Sequence, residues 1–240
     1  MFKDSDLNTR GKTTACDLEL RKPVFYGRRK GRVIPKNLYE HTLERLKNLD
    51  IAKWQGQWPK ELWLEIGFGS GEHLNKWLCQ YPQRSVIGVE VFLNGVIHCV
   101  DALPEPFEQR CAIFSEPAQS LWPHLSLSSL DGIMLFFPDP WSKRRHAGRR
   151  MVQPEFLDLC AKYVKPGGLF HFASDHPGLI AHTLKIFQAH PRWHYVDGVK
   201  TTDTTEWPSW PEHWPSSRYR DKAVAKNTAC AFSIWKENPL

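Results

Sequence analysis

The stretch FFPDPWSKRRHAGRR sets one acid, Asp139, between Pro138 and Pro140 and follows it with Trp141 and a block of cations. Prolines on both sides fix φ and withdraw two backbone N–H groups, so the acid sits on a stiff turn rich in acceptors. Such a turn suits a planar ligand that carries N–H groups. The Watson–Crick edge of guanine offers N1–H and the N2 amino group, while N7 lies on the opposite side of the base. Gripping one edge at Asp139 therefore leaves N7 able to meet an electrophile. N7 already holds an in-plane lone pair, so attack on an activated carbon needs positioning and desolvation rather than a general base. Trp141 is placed to stack on an extracted base or its neighbour, with packing at the rim as the plainer alternative. Lys143, Arg144, Arg145, Arg149 and Arg150 are placed to hold the phosphates on either side of that base.

The electrophile is suggested by a second group of residues. Gly67, Gly69 and Gly71 form G-x-G-x-G after the apolar run ELWLEI, with Glu65 and Glu72 flanking them. A nicotinamide dinucleotide would bring a doubly charged pyrophosphate to that turn, where carboxylates repel it. S-adenosylmethionine has no phosphate and carries a sulfonium, an ammonium and a carboxylate, so nearby acids help to bind it. Glu90, at the end of the run SVIGV, is placed to accept both ribose hydroxyls. Glu116, after RCAIFS, faces the adenine or its ribose, or is an ordinary loop carboxylate.

These residues need a scaffold. ELWLEI, SVIGVEV, RCAIFS, DGIMLFF and GLFHFAS read as strands. Helical spacing intervenes at Leu74, Trp77, Leu78 and Tyr81, at Val96, Ile97, Val100 and Leu103, and at Phe156, Cys160 and Tyr163. The last of these is expected to end at KPGG with a glycine C-cap. PGLIAHTLKIFQAH supplies a further helix opening on Pro177, and Tyr39, Leu43, Leu46 and Leu49 give an amphipathic helix from Pro35. Strands alternating with helices predict an α/β architecture with a mostly parallel sheet covered on both faces. TACAFSIWKE is expected as a closing strand. The predicted organisation is a basic, flexible N-terminal arm over 1–35 and one domain over 36–240, with a Trp/Pro-rich insertion at about 200–226 read as a lid rather than core.

Charge is unevenly distributed. Residues 21–36 hold seven Lys or Arg and residues 143–150 hold five, with no acid in either, so +12 sits in two short segments of a chain whose net charge is +6. That is the footprint of a polyanion partner, against the plainer reading of solvated basic loops. No apolar run approaches the roughly 20 residues that span a bilayer, and the opening residues lack an apolar signal core. Six scattered cysteines without C-x-x-C spacing indicate reduced thiols and neither a disulfide framework nor a metal site. A soluble, cytoplasmic protein, monomer or homodimer, is expected.

The segments FYGRRKG, WLEIGFGSGEHL, IGVEV, LFFPDPWSKRRHAGRRMVQPEFLDL and KPGGLFHFASDH resemble the bacterial tRNA (guanine-N7-)-methyltransferases, from about Arg21 onward. The resemblance implies a Rossmann-like class I S-adenosylmethionine-dependent methyltransferase fold with a mostly parallel seven-stranded sheet and helices on both faces, that Glu65, Glu90, Glu116 and Asp139 contact the cofactor region, and that Asp139 is the catalytic-site acid. It further implies that Lys143 and Asp175 belong to the tRNA site, and that the product is an N7-methylated guanosine in the variable loop with S-adenosylhomocysteine released. One departure stands out: where the family carries T-x-x-E, this chain has SRYR, so Ser217 keeps the hydroxyl while Arg220 reverses the expected charge. Asp221 or Glu206 would have to compensate. A different reading, an RNA-binding module with reduced or redirected transfer, draws on Arg220. A small-molecule or protein methyltransferase fits the glycines but leaves the clustered cations unexplained.

Overall fold

The computed structural model describes Arg29, residues 31–54 and residues 56–238. Most of the expected basic arm, and Cys16, lie outside the described residues. The chain forms α1 (Lys36–Asn48), β1 (Leu62–Ile66), α2 (Glu72–Gln80), β2 (Ser85–Val89), α3 (Leu93–Ala102), β3 (Cys111–Phe114), β4 (Leu130–Phe136), α4 (Pro154–Tyr163), β5 (Val164–Ser174), α5 (Pro177–Ala189), β6 (Trp193–Gly198), α6 (Arg218–Ala225) and β7 (Ala231–Glu237). Sheet order is β3-β2-β1-β4-β5-β7-β6. The first five strands pair in parallel, and β7 is antiparallel to both β5 and β6. Strand order reverses beside β1, which places its carboxyl end and those of β2 and β4 at the crevice where such sheets bind ligands.

All five residues of β1 are buried, as expected for a central parallel strand. Leu62, Leu64 and Ile66 face one core with Ile133, Leu157 and Phe187. Trp63 faces the other with Leu74, Trp77 and Val96. Alternation along the strand therefore sends Glu65 to the same face as Trp63, the side covered by α2.

Four expectations are corrected. β7 does not close an edge but lies between β5 and β6; its alternating Phe232, Ile234 and Lys236 hid the fact that both of its edges are paired. The α4 helix ends on Val164, and KPGG belongs to β5, since Pro166 cannot donate to a helical ladder and Gly167 takes φ +82° inside the strand run. α1 forms, but Tyr39 and Leu43 are exposed. Its inner face is Thr42, which bonds back to Leu38 O, and Arg45, whose guanidinium donates to Val100 O (2.5 Å) and Leu103 O (2.6 Å) and pairs with Glu108 (2.7 Å). Finally, the insertion is not a loose lid. Trp214 is buried and stacks on His171 at 4.5 Å, while Trp210 packs against Phe136 and Phe232. Large indoles bury too much apolar area to remain on a free flap. Among the described residues, no helix is long and apolar enough to cross a membrane.

Candidate active site

The turn after β1 depends on glycine for specific reasons. Gly67, Gly69 and Gly71 take φ of +78°, +61° and +82°, values that L side chains rarely adopt. A Cβ on Gly71 would lie 2.3 Å from Cys99 Sγ, so the turn is also pressed against α3. Gly69 N–H donates to Glu90 Oε2 at 2.9 Å, and Glu90 Oε1 accepts from the N–H groups of Val91 and Phe92 at 2.8 Å each. Glu90 thus ties the first two strand ends together. Burial raises its pKa, the three N–H donors oppose that shift, and the charge on Asp139 adds to it. A carboxylate has about four lone-pair sites. With three already used, Glu90 retains capacity for one further donor in this arrangement, not the two ribose hydroxyls expected of it.

Glu65 is buried beneath this turn, and its Oε2 lies 3.0 Å from Nδ1 of the equally buried His73 on α2. Glu116, beyond β3, is exposed and lies 3.7 Å from Arg29 Nη1. The described end of the basic segment is held at the start of α3: Leu93 N–H donates to Arg29 O (2.9 Å), Gly31 N–H to Asn94 Oδ1 (2.7 Å), and Asn94 Nδ2 to Arg32 O (2.9 Å). Arg29 is thereby held beside Glu116.

Asp139 is exposed on the turn that leaves β4. Phe137 and Trp141, on either side of the Pro-Asp-Pro step, take φ of +51° and +42°. Each left-handed non-glycine residue costs about 1–2 kcal/mol, which the surroundings must offset. Arg150 supplies part of that: its Nε donates to Pro140 O (3.0 Å) and Nη2 to Trp141 O (3.5 Å). The sequence reading therefore needs amending, because two of the turn's carbonyls are already engaged and Arg150 braces the turn from within. Lys143, Arg144, Arg145 and Arg149 are exposed on the short helical turn that follows. Trp141 meets His146 edge-on (5.7 Å) and carries the Arg149 guanidinium over its ring (5.1 Å). Burial, then Arg149 and Lys143, hold the His146 pKa below the ordinary imidazole value.

Asp175, following β5, is exposed at the same rim. Burial and the Asp175 charge push the Cys230 thiol up to about 11, with Arg220 opposing. Ser217 is buried and its Oγ caps α6 by accepting from Arg220 N–H (3.2 Å). Arg220 lies over the Trp210 ring at 5.1 Å and donates from Nη1 to Ser216 Oγ (3.3 Å). Asp221 accepts a hydrogen bond from Ser216, and Glu206 is exposed on a separate turn.

Two further side chains were not foreseen. Tyr219 lies over the glycine turn: a Cβ on Gly69 would meet its Cε2 at 3.7 Å. Burial, Glu90 and Asp139 raise its phenol pKa, and Arg218 opposes them. Arg218 donates from Nη1 to Ser70 Oγ at 3.1 Å. Together with Glu65, Gly67, His73 and Ser217 they line a narrow pocket under the turn. SRYR was the available signal, but only its first and last residues had been considered. An acid-lined, phosphate-averse cradle with an unpaired buried His73 Nε2 fits the charged, phosphate-free S-adenosylmethionine.

A family model described as "Putative methyltransferase" matches residues 59–231. The chain is 38% identical over 220 residues to a protein of Azorhizobium caulinodans named tRNA (guanine-N(7)-)-methyltransferase, covering 88% of this chain and 94% of that one. A protein of the same name from Brucella melitensis is 38% identical over 219 residues, covering 87% and 92%. Among solved structures, a 16S rRNA (adenine(1408)-N(1))-methyltransferase variant from Catenulisporales acidiphilia superposes with TM-score 0.52 at 14% identity, covering 80% of this chain and 93% of that one. The 16S rRNA methyltransferase KamB gives 0.51 at 14% identity, covering 87% and 96%. At such identity the likeness is one of fold.

Proposed function

The chain belongs to the tRNA (guanine-N(7)-)-methyltransferase family, and from that premise we infer that it methylates N7 of a variable-loop guanosine in tRNA, with the Asp139 turn as the base-gripping element. The observation that carries this is a contact: Phe137, at the start of the Asp139 turn, stacks on Tyr219 at 6.2 Å, and Tyr219 in turn lies over Gly69 of the glycine turn. Base grip and cofactor cradle therefore share one rim.

S-adenosylmethionine, when bound, supplies the methyl group on its sulfonium. Glu90 and Glu116 would hold its adenosine end and Glu65 its amino-acid end. Asp139 accepts from the N1–H and N2 amino edge of guanine, which turns N7 inward. Because N7 has a lone pair ready, no residue takes a proton before transfer; the turn orients, and Tyr219 and Phe137 exclude water. Lys143, Arg144, Arg145 and Arg149 contact phosphates, with Trp141 holding Arg149 in place by cation–π contact. Asp175 and Ser217 border the nucleotide on the β5 side. A monomer or a homodimer acting on tRNA in the cytoplasm is the setting we propose for it.

Incubation with S-adenosylmethionine and unmodified tRNA, followed by nucleoside mass spectrometry, should yield 7-methylguanosine; none at high enzyme concentration would reject the reading. Arg220 is the observation favouring a second one, a tRNA-binding protein whose transfer is reduced or redirected. It predicts salt-sensitive tRNA binding without product.

A further inference from the structure

The loop that carries the exposed cations after Asp139 is shaped by bonds that close on itself. Arg150 Nε donates to Pro140 O (3.0 Å), Gln153 Nε2 donates to Ala147 O (3.0 Å) and Arg150 O (3.2 Å), and His146 N–H donates to Lys143 O (2.8 Å). Such bonds fix the loop's conformation but not its place on the rim. A longer reach does that: Ser142 Oγ lies 3.2 Å from Nε2 of His176, 34 residues further along the chain.

His176 is a fixed post for that contact. It is the N-cap of α5 and is half-buried. Its N–H donates to Oγ of the buried Ser174 (3.1 Å), and the Leu179 N–H is shared between His176 O (3.0 Å) and His176 Nδ1 (3.2 Å). An N–H aimed at Nδ1 requires the lone pair there, so the proton of the neutral imidazole sits on Nε2 and His176 donates to Ser142 Oγ. Gly178 leaves room for the ring, since a Cβ at that position would lie 3.2 Å from its Cε1. Post and loop each carry, one residue away, an exposed charge that the reading above gives to the substrate: Lys143 follows Ser142, and Asp175 precedes His176.

We propose that the His176–Ser142 hydrogen bond sets the spacing between Lys143 and Asp175, and with it the register in which the target nucleotide meets the methyl donor. His176 is thus a positioning residue that acts through Ser142 on the basic loop. The inference rests on the tRNA methyltransferase reading and makes phosphate contact and base placement separable. Attraction to phosphate is long-ranged and independent of sequence, so a displaced loop still binds. Methyl transfer tolerates far less, because a misplacement of about 1 Å can cost about 100-fold in rate.

The test is a double-mutant cycle on the full chain, read by single-turnover methylation at saturating tRNA and S-adenosylmethionine and by filter binding of tRNA across a salt series. His176→Asn keeps a side-chain acceptor for the Leu179 N–H, and so the cap of α5, but ends short of Ser142. Ser142→Ala removes the same bond from an exposed position, where folding is not at stake. Each should lower the single-turnover rate about threefold to tenfold, the loss expected of one neutral hydrogen bond. The dissociation constant for tRNA should stay within about twofold, with an unchanged salt slope. The double variant should be no slower than the slower single, because both remove one bond. Ser142→Thr, which keeps the hydroxyl, should recover most of the rate lost in Ser142→Ala, and thermal midpoints report the folding of each variant. A double variant slowed by the product of the two single losses, no loss of rate in either single, or weaker tRNA binding that accounts for the loss overturns the inference while the methyltransferase reading stands. Absence of 7-methylguanosine from the wild-type reaction overturns both.

Discussion

The rings of Phe137 and Tyr219 lie parallel, 6.2 Å between centroids and 22° between planes, and so join the Asp139 turn to helix α6. Trp210 stacks on the same Phe137 at 6.3 Å. Phe137→Leu keeps apolar bulk but loses the ring, and such pairs contribute about 0.5–1.5 kcal/mol beyond burial. The dissociation constant for S-adenosylhomocysteine should rise about twofold to tenfold by calorimetry. An unchanged constant would mean that the ring pair does not hold α6 over the pocket.

Asp139→Ala should abolish methyl transfer while leaving tRNA affinity nearly intact, because phosphate contacts dominate affinity. Single-turnover assays beside filter binding separate the two. Parallel loss of binding and turnover would assign Asp139 a structural role instead.

Arg150 and its basic neighbours should behave differently. Arg150 is bonded to Pro140 and Trp141 carbonyls, so Arg150→Met should lower turnover with no change in the salt dependence of tRNA binding. Arg144→Ala and Arg145→Ala, at exposed cations, should each reduce the slope of log affinity against log salt by about one. A slope reduced by about one for Arg150→Met would place that guanidinium on a phosphate.

His171 is fully enclosed, and burial, His73, Arg84 and His213 lower its pKa from 6.5 to about 3. The unfolded chain therefore takes up a proton near 6.5 that the folded chain refuses until about 3. Stability conferred by a neutral His171 is present above that window and falls as pH drops through it, at up to about 1.4 kcal/mol per pH unit. Its Nδ1 is also unpaired. His171→Phe keeps a ring against Trp214 and should flatten the acid limb of stability by chemical denaturation, while gaining about 1 kcal/mol at neutral pH. An acid limb as steep as that of wild type would refute this assignment.

Arg220 already has partners in Trp210 and Ser216. The wild-type protein should accordingly form 7-methylguanosine, and Arg220→Glu should not raise the rate. Product from Arg220→Glu alone would identify the arginine as the cause of a lost activity.

What was legible in the sequence was local. Gly67, Gly69 and Gly71 state a backbone requirement at their own positions, and an acid one residue past a strand, as at Glu90, needs only the strand to be recognised. Prolines flanking Asp139 announce a rigid corner in the same way. What stayed hidden depends on partners distant in the chain. His73 reads as a polar helix residue until β1 brings Glu65 to it, and Arg218 and Tyr219 gain meaning only when α6 packs on a turn some 150 residues earlier. β6 escaped notice because only Trp193 is buried in it and the rest is half-buried or exposed. α1 showed its apolar stripe, yet Arg45 turned inward to cap carbonyls of α3 and its loop, which shifted the buried face away from Tyr39 and Leu43.

The position of β7 has a bearing on biogenesis. β6 pairs in this sheet with β7 alone, so during translation it waits, with its hydrogen-bonding edges bare, until residues 231–237 leave the ribosome. The outer edge of β5 is uncovered over the same interval. A nascent chain stalled within the tryptophan-rich insertion would expose two such edges together with Trp193 and Phe187, whose ring stacks on Trp235 in the finished fold, which marks that interval as the one in which a chaperone has most to shield.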